Sequence, residues 1–131
     1  MGKAMTPNRQ IVTSSRTTAH RKSVENSLPD IIGFLVDHLG KVLTSEIAGV
    51  SPQTVDRWRT GTQRPAIAVE RRMRETYAIF VKLSVKDASA TIRAWFMGMN
   101  PQLDDVSPVE ALRQDEFRDV AAAADAFLMG G

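Results

Sequence analysis

The stretch Gly49-Val50-Ser51-Pro52-Gln53-Thr54-Val55-Asp56-Arg57-Trp58-Arg59-Thr60-Gly61 decides the fold. Gly49 permits a tight turn after one helix, because a residue without Cβ reaches positive φ at little cost. Ser51 followed by Pro52 is a cap and first-position pair that opens a second helix, and Gly61 ends it. Val50 plugs the corner, while Val55 and Trp58, three residues apart, bury one face. At about 100° per residue that leaves Gln53, Asp56 and Arg57 pointing away from the core, with Thr54 on the flank. Helix, glycine turn and anchored second helix make a helix-turn-helix. Gln and Arg are the side chains that bond bidentately to adenine and guanine edges in a major groove. Ser51, Gln53, Thr54, Arg57, Arg59 and Arg64 are therefore the candidate DNA contacts. Arg57, Arg59, Arg64, Arg71, Arg72 and Arg74 crowd into one short span, a density suited to phosphates and to salt-dependent binding.

The motif has departures. Ala48 touches Gly49, so Ser45 takes the small position of the first helix, and polar Thr44 falls where an apolar residue is usual. The competing reading is a degenerate module that only packs or dimerises, its arginines solvated or paired with acids.

Working outward, Ser27-Leu28-Pro29-Asp30 supplies a cap, an early proline and a first-turn acid for a helix carrying Ile31, Ile32, Phe34, Leu35 and Leu39, which Gly40 closes in the left-handed conformation. Leu43 and Ile47 share a face of the next helix. Val69, Met73, Tyr77, Phe80 and Leu83 stripe a longer helix from Ala66. Ser84 caps another, with Val85, Ala88, Ile92, Trp95 and Phe96 on one face, which stops at Asn100-Pro101 because a residue before proline leaves the helical region. Ser107-Pro108-Val109-Glu110 is a capping box. Gln114 or Asp115 starts the last helix, with Phe117, Val120, Ala124, Phe127 and Leu128 inward. The expectation is an all-α protein without internal repeats: a disordered basic tail over residues 1–26, a helix-turn-helix domain over 27–83 and a second helical unit over 84–131.

Composition narrows the class. The chain has 131 residues, no Cys and 43% hydrophobic residues, enough for one core or two small lobes sharing one. The lack of Cys excludes disulfides and thiolate metal sites and favours a reducing cytoplasm. The longest nearly apolar run, from Ile31 to Val36, is far short of a membrane span, and the tail holds no signal-peptide core, so a soluble cytoplasmic protein without membrane association is expected. The tail's Ser-rich, acid-poor composition also imitates a transit peptide, a common property of such tails. Residues 1–93 hold 15 basic and 8 acidic side chains, and residues 94–131 hold 2 and 7, so a net of +7 faces a net of −5. A basic front and an acidic back suggest two partners.

The second half carries an ordered series: Trp95, Asn100-Pro101-Gln102-Leu103, Ser107-Pro108-Val109-Glu110-Ala111-Leu112, Val120 and a terminal glycine. This resembles the Xre/MbcA/ParS antitoxin family over roughly residues 28–131. The family's pattern is a Trp, an Asn-Pro, a Leu, a Ser/Thr-Pro opening a short helix, a Val and a Gly near the end. Where it usually has a glycine after Asn-Pro-x-Leu, this chain has Asp104-Asp105. The resemblance implies a degenerate Xre-type helix-turn-helix followed by a toxin-binding module. The partner it implies is a RES-domain toxin that consumes NAD. It also implies that the antitoxin's C-terminal end blocks the toxin's active site, which makes Trp95, Asn100, Pro101, Phe127, Leu128, Met129, Gly130 and Gly131 the candidate toxin contacts, and that the NAD chemistry belongs to the toxin.

Nothing in the residues points to catalysis or to a cofactor. His20 lies in the tail, and His38 sits near a helix end where an imidazole suits the dipole. Asp104, Asp105 and Glu110 have no His or Cys beside them to complete a metal site. Three functions compete: an antitoxin that also represses its operon, acting as a homodimer or as a hetero-oligomer with the toxin; a stand-alone helix-turn-helix regulator that uses the C-terminal module to dimerise; and a purely structural interaction module.

Overall fold

A computed structural model describes residues 26–130; the basic tail up to residue 25 and Gly131 lie outside the described residues. Among the described residues seven α-helices and one 3-10 turn follow in order: α1 (Leu28–His38), α2 (Lys41–Ala48), α3 (Pro52–Thr60), α4 (Ile67–Leu83), α5 (Ser89–Met97), the 3-10 turn (Pro101–Leu103), α6 (Pro108–Arg113) and α7 (Phe117–Leu128). The fold class is all-α, with no strand among the described residues. None of these helices is long and apolar enough to cross a membrane.

Caps set several of the boundaries. Ser27, Ser51 and Ser107 each accept a backbone N–H three residues on, from Asp30, Thr54 and Glu110, at 3.3, 3.2 and 3.1 Å. Each precedes a proline in the first turn, which has no amide to satisfy. The box at Ser107 is half formed, since the Glu110 carboxylate makes no return bond among the described residues. Gly49 turns the chain at φ +79, ψ 31, in the left-handed region, between α2 and α3.

Cations from distant segments cap the helix C-termini, where the last carbonyls lack intrahelical partners. Arg93 donates to the carbonyl of His38 at 2.9 Å on α1. On α2, Arg113 donates to the Glu46 carbonyl at 2.8 Å, and Arg72 to those of Ala48 and Ile47 at 2.8 and 3.3 Å.

One hydrophobic core runs through the molecule. Helix α1 packs on α3, α4 and α5, α2 packs on α3, α4 and α6, and α7 packs on α4, α6 and the 3-10 turn. Ile31, Leu35, Ile47, Val55 and Met73 join Ile92, Phe96, Leu112, Val120 and Ala124 in a single buried cluster. Phe80 stacks on Phe96 at 6.2 Å, joining the long helix to α5.

Several boundaries differ from the sequence reading. Gly40 has positive φ (+98), but its ψ of 147 lies outside the left-handed helical well; it opens α2, while Leu39 ends α1. Ser84 ends α4 instead of starting α5: its hydroxyl bonds back to the Val81 carbonyl at 2.7 Å, and Val85 is left exposed. Helix α5 closes at Gly98, two residues before Asn100. The last helix starts after Glu116, because Asp115 sits at φ +62 and pairs with Arg72.

Candidate functional site

Two surfaces gather the residues of interest. The first is the outer face of α3. Val55 and Trp58 are buried beneath it, and Gln53, Arg57 and Arg59 are exposed. Ser51 and Thr54 bond to each other through their hydroxyls at 3.1 Å. Arg59 lies 3.5 Å from Asp56, which also takes Lys41 at 3.0 Å, and Arg64 pairs with Glu70 at 2.9 Å. Arg57 pairs with no acid among the described residues. The C-terminal end of α3 is fixed from behind, since the Arg57 carbonyl accepts the hydroxyls of Thr60 and Thr62, both at 3.3 Å.

The remaining arginines of the cluster are engaged in different ways. Arg71 lies 3.8 Å from Glu75 and stacks over the Phe117 ring, 5.0 Å from its centroid. Arg74 holds Glu70 at 3.1 Å and the Asn26 carbonyl at 2.9 Å. Arg72 grips Asp115 at 2.8 and 3.4 Å while capping α2. A guanidinium with its donors committed in this way is a strut of the fold and not a spare phosphate contact.

The second surface is a cleft of about 240 Å³ lined by Trp95, Asn100, Pro101, Gln102, Ala123, Ala126 and Phe127. Trp95 is half-buried, edge-on to Phe96 at 5.2 Å and 6.1 Å from the Phe127 ring. Asn100 shapes the rim: its Oδ1 accepts the Gln102 N–H at 2.9 Å, and its carbonyl accepts from Leu103 and Asp105, both at 2.9 Å. The loop ends with Asp104 and Asp105 at φ 55 and 66. Beyond Phe127 the chain emerges into solvent, with Met129 87% exposed.

No protein-family model matches the chain. A probable mycobacterial cidal antitoxin of Mycobacterium tuberculosis is 32% identical to it over 92 residues, which span 69% of this chain and 76% of that relative. The chain belongs to the MbcA-type antitoxin family. The fold agrees: a chain in the crystal structure of the M. tuberculosis MbcT-MbcA toxin-antitoxin complex matches with a TM-score of 0.68 at 24% identity, over 80% of this chain and 96% of that one.

In this MbcA-type antitoxin three positions of the family-like series, Trp95, Asn100 and Pro101, share one cleft with Phe127 near the C-terminal end, although up to 32 residues separate them. Leu128 is half-buried beside it, Met129 and Gly130 are exposed, and Gly131 lies outside the described residues. The sequence reading missed Gln102, Ala123 and Ala126. The two alanines are three apart on α7, and their small side chains leave the space that the aromatic rings border. That run of alanines was the available signal. It also missed Arg72 as a link between halves, since nothing local marks an arginine whose partner is 43 residues away.

His38 bonds Ser89 at 2.9 Å and lies 4.3 Å from the Phe34 ring, a packed position; His20 lies outside the described residues. Among the described residues no group of His and acids could hold a metal.

Proposed function

We propose that this antitoxin binds and blocks a cognate toxin through the Trp95, Asn100, Pro101 and Phe127 cleft, together with Leu128, Met129, Gly130 and Gly131. The toxin is of the RES type and consumes NAD, and the antitoxin works as a homodimer or within a hetero-oligomer with it. The observation that carries this reading is the convergence of three family-like residues, Trp95, Asn100 and Pro101, with Phe127 on one cleft beside the exposed Met129. An apolar floor with a polar rim suits a protein partner, because buried aromatics anchor an interface while turn polar groups fix its register. The exposed acids Asp104, Asp105, Glu116 and Asp119 suit a basic rim on the toxin.

The same chain represses its own operon through α3. Exposed Gln53 and Arg57, which pairs with no acid among the described residues, stand on the outer face of a helix anchored by Val55 and Trp58, the arrangement that base readout needs.

Co-expression with a RES-type toxin encoded by an adjacent gene is the direct test. The pair should co-purify, and cells should keep their NAD, whereas the purified antitoxin alone should leave NAD intact. NAD loss with the antitoxin alone, or no binding to that neighbour, overturns the reading. For the DNA function, a gel shift on the chain's own promoter should weaken with Arg57→Ala by about 1 to 3 kcal/mol and lose sequence preference. Unchanged binding by that variant would remove α3 from the role.

A further inference from the structure

The last turn of α7 is held by two lysines from outside it. Lys82 on α4, only 4% exposed, places Nζ 2.9 Å from Asp125 Oδ1. Lys86, in the turn that follows α4, donates from Nζ to the carbonyl oxygen of Leu128 at 2.8 Å. The backbone adds two bonds, from the Met129 N–H to the Asp125 carbonyl at 3.1 Å and from the Gly130 N–H to the Phe127 carbonyl at 3.0 Å. The Leu128 carbonyl is among the final four of its helix, which have no intrahelical partner, and an ammonium there also meets the negative end of the helix dipole. Past this point the chain is open: Met129 is almost fully exposed, and a Cβ built on Gly130, at φ +85, would meet nothing within 4 Å.

Lys86 is itself exposed, so its bond adds little to folding in water. Its geometric effect is larger. With the Leu128 carbonyl tied, the direction in which Met129 and Gly130 leave the helix is fixed relative to the cleft. We infer that Lys86 is a positioning residue for neutralisation, holding the chain end in the direction that enters the toxin and so lowering the ordering cost of binding. This rests on the proposed role of that end.

Four variants against the RES-type toxin of that co-expression, with inhibition of NAD loss as the readout, separate the possibilities. Lys86→Met should weaken inhibition by about three- to tenfold, the range of one ordinary net hydrogen bond, since an exposed ammonium is screened by water, with an unchanged melting temperature. Lys86→Arg should restore it. A chain ending at Met129 should also be weakened, and adding Lys86→Met to that shortened chain should cost nothing further, because the two changes act through the same end. Equal loss from Lys86→Met in the full and the shortened chain would mean that the lysine touches the toxin itself, and a parallel fall in melting temperature would mean that it serves the fold; either overturns the inference. Full inhibition by the chain ending at Met129 overturns the role of the end and this inference with it. A weakened short chain beside a wild-type Lys86→Met overturns the inference alone.

Discussion

Arg72 and Arg57 are the same residue type in one basic cluster and do opposite work. Arg72 spends its donors on Asp115 and on two carbonyls of α2, with its side chain 13% exposed. Removing it leaves a carboxylate and two helix-end acceptors without their partner. Arg72→Met should therefore destabilise the protein by about 2 to 3 kcal/mol in urea unfolding. Arg57→Ala, at a side chain that pairs with no acid among the described residues, should stay within about 0.5 kcal/mol of wild type. Equal stability of the two variants would contradict this division. A second residue-scale consequence follows from Asp104 and Asp105, both at positive φ, where the family usually places a glycine. Left-handed backbone costs an ordinary residue about 1 to 2 kcal/mol, less for Asp, whose short side chain tolerates the region. Asp104→Gly should accordingly hold or raise stability by up to about 1 kcal/mol, and a loss of stability would mean that the carboxylate itself contributes.

Among the elements, α2 is the one whose sequence departs from a common helix-turn-helix, and its hydroxyls explain why it still packs. Thr44 Oγ1 donates to the Gly40 carbonyl at 2.7 Å, and Ser45 Oγ to the Val42 carbonyl at 2.7 Å, so both are buried with their polar atoms satisfied inside their own helix. The Gly40 carbonyl also accepts the Thr44 N–H at 3.0 Å. Thr44→Val therefore orphans no acceptor and should change unfolding free energy by less than about 1 kcal/mol; a larger loss would show that the hydroxyl matters beyond that bond. The helices with caps or stripes were legible in sequence for this local reason: Ser51 and Ser107 each sit beside a proline, Ser27 lies two residues before one, and Met73, Tyr77, Phe80 and Leu83 repeat at helical spacing. The elements misplaced were those whose ends are set from afar. Asp115 delays α7 because Arg72 holds it, and Ser84 serves the helix behind it although its type equally suits the helix ahead. The cleft was half legible, since Trp95, Asn100 and Pro101 belong to an ordered series and Phe127 to the C-terminal end that the resemblance marks, whereas Ala123 and Ala126 matter through the space they leave.

At the scale of the whole molecule, the basic first part and the acidic second part are joined by Arg72–Asp115 and Lys82–Asp125 and share one hydrophobic core. We propose that residues 27–83 and 84–131, though distinct in role, form a single folding unit. Phe80 stacks on Phe96, and α4 packs on α6 and α7 of the second part, so the first part alone would expose that face of α4. The two tryptophans make this testable, because Trp58 lies in the first part and Trp95 in the second. Trp95→Phe leaves a fluorophore reporting on α3, and Trp58→Phe leaves one reporting on the cleft. If the halves unfold together, the fluorescence midpoint of each variant in urea should coincide with its own far-ultraviolet circular dichroism midpoint, as a two-state transition requires. Comparing two probes within each variant cancels the different cost of the two substitutions, since Trp58 is fully buried and Trp95 only half. Probes that separate by more than about 0.5 M urea in either variant would show two units. Coincidence has a further consequence: a partner that binds only the folded cleft stabilises everything that folds with it, so saturating toxin should raise the Trp58 midpoint as much as the Trp95 midpoint, although Trp58 belongs to the other surface.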